Sequence, residues 1–190
     1  MENVVSPGVG NDTTEKVEWS LDMIHSKIGF SVKHLVVSTA HGHFNTFKVN
    51  AKSLKHGFAG GEVEVRIDVK SIETEMPDRN AHLLSDDFFN AEKFPEIVFK
   101  STGIERIDDE NYKVKGNLTI RDVTKEVTFD VNYGGQILDP YGFTRVGFNV
   151  TGTINRQDFG VKFNTVLETG AVALSNSVKV NCDFELTRKA

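Results

Sequence analysis

The chain holds a single cysteine, Cys182. No disulfide can form within it, so packing alone must hold the fold. Its hydrophobic runs are short. None approaches the roughly 20 apolar residues of a membrane-spanning helix, and no transmembrane segment is expected. Basic residues are in the minority, 22 Lys and Arg against 27 Asp and Glu, for a net charge of −5. No basic stripe stands out, which argues against nucleic acid as a partner. Residues 1–16 lack the basic start and apolar middle of a secretory signal. They read as a flexible tail, and the chain reads as cytoplasmic, or periplasmic if a signal was removed ahead of it. Tryptophan and tyrosine are scarce, one and three, beside fourteen phenylalanines. Phenylalanine supplies ring area with no polar tip to satisfy, which suits a greasy interior.

What the chain does have is alternation. Val63, Val65, Ile67 and Val69 alternate with Glu62, Glu64, Arg66 and Asp68. Tyr112, Val114, Gly116, Leu118 and Ile120 alternate with Lys113, Lys115, Asn117 and Thr119. Val127, Phe129, Val131 and Tyr133 follow the same rule, as do Val146, Phe148 and Val150, and Val178, Val180, Cys182, Phe184 and Leu186. Period two gives each strand one wet and one dry face. With few helical patterns to cover them, the dry faces must turn toward one another, as in a barrel or sandwich.

Earlier in the chain, Val17, Trp19 and Leu21 open a first strand, and Ile28, Phe30, Val32 and His34 share one face of a second. A third runs from about Val36 to Val49, with a bulge near Asn45 where the phase slips between Phe44 and Phe47. Gly57 to Gly61 reads as a turn. Residues 71–95 break the pattern: Pro77 suits a helix start, and Ala81, Leu84 and Phe88 recur at helical spacing. Ser85, ahead of Asp86 and Asp87, suits the N-cap of a second short turn. Turns are expected at Asp108–Asn111, Arg121-Asp122 and Asp139–Gly142. The insertion could cap one end of a barrel.

Catalytic and metal signatures are weak. His41-Gly42-His43 puts two imidazoles on one strand face, but no carboxylate follows at cupin spacing, where Thr46 and Phe47 stand. There is no HExxH motif, no cysteine pair and no GxSxG elbow. Cys182 reads as a small buried hydrophobe. Arg156 and Asp158 read as a local surface pair. Neither a metal nor a cofactor is expected.

The order of motifs resembles the YceI family of lipocalin-like, polyisoprenoid-binding proteins. The pieces are Trp19-x-Leu21-Asp22-x-x-His25-Ser26-x-Ile28-x-Phe30-x-Val32-Lys33-His34, Gly42-x-Phe44, Ser71-Ile72-x-Thr74 and Arg79-x-x-His82-Leu83. There follow Asp87-Phe88-Phe89-x-Ala91-x-Lys93-Phe94-Pro95-x-Ile97-x-Phe99-x-Ser101, Gly116-x-Leu118-Thr119-Ile120-Arg121-x-Val123-Thr124-Lys125 and Thr153-Ile154-Asn155-Arg156-x-Asp158-Phe159-Gly160. The resemblance covers about residues 17–187. Asn80 stands where the family often has Asp, Phe94 where it has Tyr, and Asp122 where it has Gly.

Pattern and resemblance together predict an all-β fold over residues 17–190: a closed antiparallel, lipocalin-like barrel of about eight strands with a short helical insertion. The resemblance implies a long isoprenoid lipid as ligand, of quinone or polyprenyl phosphate type, carried or stored without bond chemistry. The dry faces supply an expected lining of Phe30, Val32, Val65, Ile67, Phe99, Leu118, Phe129, Phe148 and Val180. Arg79, His82 and Lys27 are the expected headgroup contacts at the rim. Two other classes stay open: an enzyme acting on such a lipid through a pair like His25 with Asp22 or His82, and a ligand-free stress or interaction barrel. A homodimer is left open.

Overall fold

A computed structural model describes residues 15–35, 37–165 and 173–189. Most of the expected tail, residues 1–14, lies outside the described residues. Lys16 already belongs to the first strand, opposite Leu54, and Glu15 pairs with Lys55.

The strands, in chain order, are β1 (Lys16–Leu21), β2 (Lys27–His34), β3 (Ser38–Phe44), β4 (Phe47–Leu54), β5 (Gly57–Asp68), β6 (Ile72–Glu73), β7 (Glu96–Arg106), β8 (Asn111–Ile120), β9 (Val123–Leu138), β10 (Phe143–Asn155) and β11 (Leu174–Lys189). Among the described residues one α-helix, α1 (Pro77–Leu84), lies between β6 and β7. All strand pairs are antiparallel, and the sheet closes on itself through β1 and β11.

Eight staves make the barrel. β1 and β2 lie end to end along β11, and their partners β4 and β3 form the next stave in the same way. β5, β7, β8, β9, β10 and β11 complete the circle as an up-and-down meander. The alternation read from sequence is the cause. In β8, Tyr112, Val114, Gly116, Leu118 and Ile120 are buried, and all but one of the residues between them are exposed. Each strand therefore turns an apolar face inward, and closure removes the sheet edges that would otherwise attract other chains.

Three local expectations need correction. The strand break at Asn45 and Thr46 is more than a bulge. The Asn45 and Thr46 N–H groups donate to the carbonyl and hydroxyl of Ser71, each at 3.0 Å. That detour lets Phe44 and Phe47 both be buried although they are three apart. The turn expected at Gly57–Gly61 lies instead at Lys55-His56, and β5 begins at Gly57. A short turn at 86–89 does follow Ser85, whose carbonyl accepts from the Phe88 and Asn90 N–H groups, but the Ser85 hydroxyl does not cap it. Ser85 instead closes α1, its N–H and hydroxyl both donating to the His82 carbonyl.

The meander sorts its connections into two ends. At one end lie the turns 55–56, 107–110 and 139–142 and the start of β1. At the other lie the β2–β3 turn, the 69–95 segment with α1, the Arg121-Asp122 turn and the chain following Asn155. The second is called the helix end below.

The barrel closes thinly where β1 meets β11, with only Ser20 opposite Thr187 and Leu21 opposite Leu186. Side chains reinforce the seam. Arg145 on β10 donates to Asp139 at 2.6 Å, to Asp22 at 2.8 Å and to Glu185 at 2.5 Å. The Glu185 N–H donates to Ser26 Oγ, where β11 passes from β1 to β2.

Candidate functional site

The dry faces do not fill the space they enclose. A cavity of about 290 Å³ runs through the barrel, with walls that are almost wholly apolar. Packed interiors rarely leave voids much larger than a water molecule. An apolar cavity of this size gives water too few hydrogen-bond partners to stay. It also approaches the lower bound of small-ligand pockets.

All nine expected lining residues face this cavity: Phe30, Val32, Val65, Ile67, Phe99, Leu118, Phe129, Phe148 and Val180. Three of the rings lie over glycines of neighbouring strands. A Cβ built on Gly42 would lie 2.3 Å from Phe30, one on Gly116 2.5 Å from Phe99, and one on Gly152 2.4 Å from Phe129. Missing side chains on one strand thus let the rings of the next lie against the wall. The bore stays open because those rings need not project into it.

The end opposite the helix is plugged by aromatics. Phe58 packs edge-on to Phe148 at 4.9 Å between ring centres, and it also meets Trp19 at 5.5 Å and Tyr133 at 5.9 Å. Trp19 is fixed from outside, its Nε1–H donating to Ser53 Oγ at 3.0 Å and its ring covered by Arg188. The charged wall residues Lys52 and Glu62 pair with Glu18 and Lys16 respectively.

The helix end is closed differently. Leu83, Phe88 and Phe89 of the inserted segment reach the cavity, with Val161 and Leu174 beside them. Two arginines hold these pieces. Arg121 donates to the carbonyls of Phe88 at 3.0 Å and of Asp86 and Gly160 at 3.3 Å, and its guanidinium lies over the Phe94 ring. Arg156 is buried and lines the cavity. It donates to the carbonyls of Val161, Phe163, Ser175 and Leu174 and to Asn176 Oδ1. Its surface pairing with Asp158 is not made; Asp158 accepts from Asn155 instead. Burial without a carboxylate partner pushes the Arg156 pKa below its ordinary value. These acceptors occupy its donors, so Arg156 clasps the loop around the mouth.

The expected rim residues separate. His82 stands at the helix end, edge-on to Phe88 at 5.0 Å and Phe163 at 4.8 Å, with Nε2 2.8 Å from Asp87 Oδ2. Arg79 does not line the cavity: it donates to the hydroxyl and carbonyl of Thr74 and fixes the approach to α1. Asn80 completes that joint by accepting from Thr74 and donating to Glu73. Lys27 is exposed at the start of β2 and also stands outside the lining.

The Asp22–His25 pair is real, 3.1 Å between His25 Nδ1 and Asp22 Oδ2. It faces Arg145 and the seam and is absent from the cavity wall. Hydrogen bonding from His25, with help from Arg145, lowers the Asp22 pKa to about 2. Asp22, His25 and Glu185 stand close enough to hold a cation. The Arg145 guanidinium already bonds both carboxylates there. His41 and His43 are one position out of phase with the inward-facing Phe44 and lie outside the lining.

Sequence reasoning missed Phe44, Leu83, Phe88 and Phe89 as lining, and Arg121 and Arg156 as clasps. The phenylalanines were legible as apolar. The arginines stood in the quoted motifs but without a legible role, because their partners are mainly backbone carbonyls, which any residue supplies.

The YceI-like domain profile matches residues 19–186. A UPF0312 protein of Staphylococcus aureus strain N315 is 38% identical over 170 residues, covering 89% of this chain and 96% of the relative. The YCEI protein of Campylobacter jejuni, a crystal structure, is 31% identical with a TM-score of 0.69, covering 90% of this chain and 98% of that one. A Saccharophagus degradans domain described as polyisoprenoid-binding and implicated in plant cell wall breakdown aligns at 15% identity with a TM-score of 0.63, covering 88% and 97%. That last likeness is one of fold. Among the described residues no helix is long and apolar enough to cross a membrane.

Proposed function

The chain belongs to the YceI-like family, and on that premise we propose that its barrel binds a long isoprenoid lipid, of quinone or polyprenyl phosphate type, for carriage or storage. The observation that carries this reading is the dry cavity, about 290 Å³, inside a barrel that side chains could have filled. The solved relative described as polyisoprenoid-binding is a precedent on the same fold.

The physics favours such a cargo. A polyprenyl tail is almost pure hydrocarbon, and each buried CH₂ contributes roughly 0.8 kcal/mol. Ordering the tail offsets part of that gain. The aromatic plug at Phe58 and Phe148 sets the depth; entry is from the helix end, where the segment and loop held by Arg121 and Arg156 must part to admit the tail, and the headgroup rests there. Like Arg79 and Lys27, His82 stands outside the cavity wall itself, but its ring meets Phe88 of that wall, which makes it the candidate headgroup contact. The protein then supplies shape and dryness, with no bond chemistry of its own.

The test is equilibrium titration of lipid-free protein with a fluorescent polyprenyl analogue, competed by unlabelled polyprenol and by a straight-chain fatty alcohol of equal carbon number. Saturable binding of one analogue per chain, displaced better by polyprenol, is the expected result. No saturable binding removes the reading, and equal displacement by both reduces it to a general long-chain carrier.

A further inference from the structure

We propose that Phe58 is a yielding stop at the far end of the bore: short prenyl tails end against it, and longer tails push it aside. This deepens the lipid-carrier reading above and rests on it.

The bore is short of room for a long tail. An apolar cavity of ~150 Å³ takes one benzene ring, roughly 25 Å³ per carbon, so a space of about 290 Å³ takes about 12 carbons, between two and three isoprene units. A longer tail needs a wall that gives. Most of the wall is continuous antiparallel ladder. The rings of Phe30, Phe99 and Phe129 already lie against glycines and have little further to retreat.

The ladder is interrupted where Phe58 stands. β4 and β5 pair at Lys52 with Glu62 and again at Leu54 with Gly57. Between those pairs Ser53 alone stands opposite the four residues Phe58–Gly61, and none of the four has a register partner on β4 or β7. Such a bulge re-aims a side chain, and here it turns the Phe58 ring onto the end of the cavity. Gly60 takes φ 73°, and a Cβ on Gly61 would fall 2.4 Å from the Lys52 carbonyl oxygen, so the bulge requires glycine. Lys52 and the exposed Glu62, which flank the bulge, also line the cavity, so the bore reaches the outer surface beside Phe58. The other plug rings are tied. Trp19 donates to Ser53, the residue opposite the bulge. Tyr133 is paired with Phe148 across β9 and β10, where the ladder skips only Gly134. Phe58 is the ring that yields.

Trp19 is the only tryptophan of the chain and lies 5.5 Å from Phe58 between ring centres, so its emission reports the plug. Lipid-free protein is titrated with unlabelled prenyl alcohols of two, three and four isoprene units. Affinity is read in parallel samples by displacement of the fluorescent polyprenyl analogue. The two-unit alcohol should bind and leave Trp19 emission unchanged, and the four-unit alcohol should shift it. Phe58→Ala should tighten the four-unit alcohol about tenfold, the gain from burying roughly two further carbons. It should leave the two-unit affinity unchanged, which also shows that the variant is folded. Where Phe58→Ala does not fold, Phe58→Leu replaces it. Equal Trp19 responses to the two-unit and four-unit alcohols, or unchanged four-unit affinity in the folded variant, overturns the proposal. Failure of every prenyl alcohol to bind removes the cargo reading. Straight-chain alcohols of the same carbon numbers then decide the stop by the same Trp19 response, and failure of both series removes both.

Discussion

Phe30 on β2 lies directly over Gly42 on β3, so closely that a Cβ at position 42 would fall 2.3 Å from the ring. The absent side chain keeps the ring against the wall. Gly42→Ala should therefore swing Phe30 into the bore. If the bore is open, lipid uptake falls while stability of the lipid-free protein shifts by less than about 1 kcal/mol. In a solidly packed interior the same change overpacks, at about 1–3 kcal/mol. Denaturant unfolding and analogue titration of this one variant separate the two.

Tryptophan substitutions should divide by position. Phe148 is wedged against Phe58 and Tyr133, so Phe148→Trp should cost about 1–3 kcal/mol. Phe30 lines the cavity with one ring neighbour, Phe44 at 5.7 Å. Phe30→Trp should leave unfolding nearly unchanged and weaken binding. Equal destabilisation at both sites would mean both are ordinary core.

The seam should be sensitive to acid. The Asp22 pKa is lowered to about 2 from an ordinary 3.8, chiefly by its hydrogen bond with His25. A depressed carboxylate stabilises the fold fully above its unfolded pKa, and that contribution is lost as pH falls toward the folded value. Unfolding free energy should therefore drop between about pH 4 and 2, by up to about 2 kcal/mol from this group. Asp22→Asn should flatten that part of the profile. An unchanged acid limb would show that Asp22 does not carry it.

Arg145→Met should be costlier, because it leaves Asp22, Asp139 and Glu185 facing one another without their shared cation. A loss of about 2–3 kcal/mol is expected, below the full cost of breaking a buried pair because the site is partly wet. Thermal unfolding checks it, and the double variant with Asp22→Asn should recover part of the loss.

The barrel was legible because alternation is a local signal repeated on every strand, and β8 displays it almost without exception. The lining residues followed from the same phase. The strand break at Asn45 was visible as a slip between Phe44 and Phe47, but its cause, Ser71, lies in another segment. The rim was misread for a related reason. Arg79 and Lys27 are charged and stand near the right motifs, yet their directions depend on the joint built by Thr74 and Asn80 and on the phase of β2. Arg121 and Arg156 hold carbonyls, which every residue has, so no spacing could mark their partners.

The central claim is that the cavity holds a hydrophobic passenger, and its contents test this most directly. Protein purified without detergent from its own host is extracted with organic solvent, and the extract is weighed by mass spectrometry against protein amount. One prenyl lipid per chain is the result this account requires. Protein that is repeatedly empty, with an interior closed and filled by its own side chains, would contradict it.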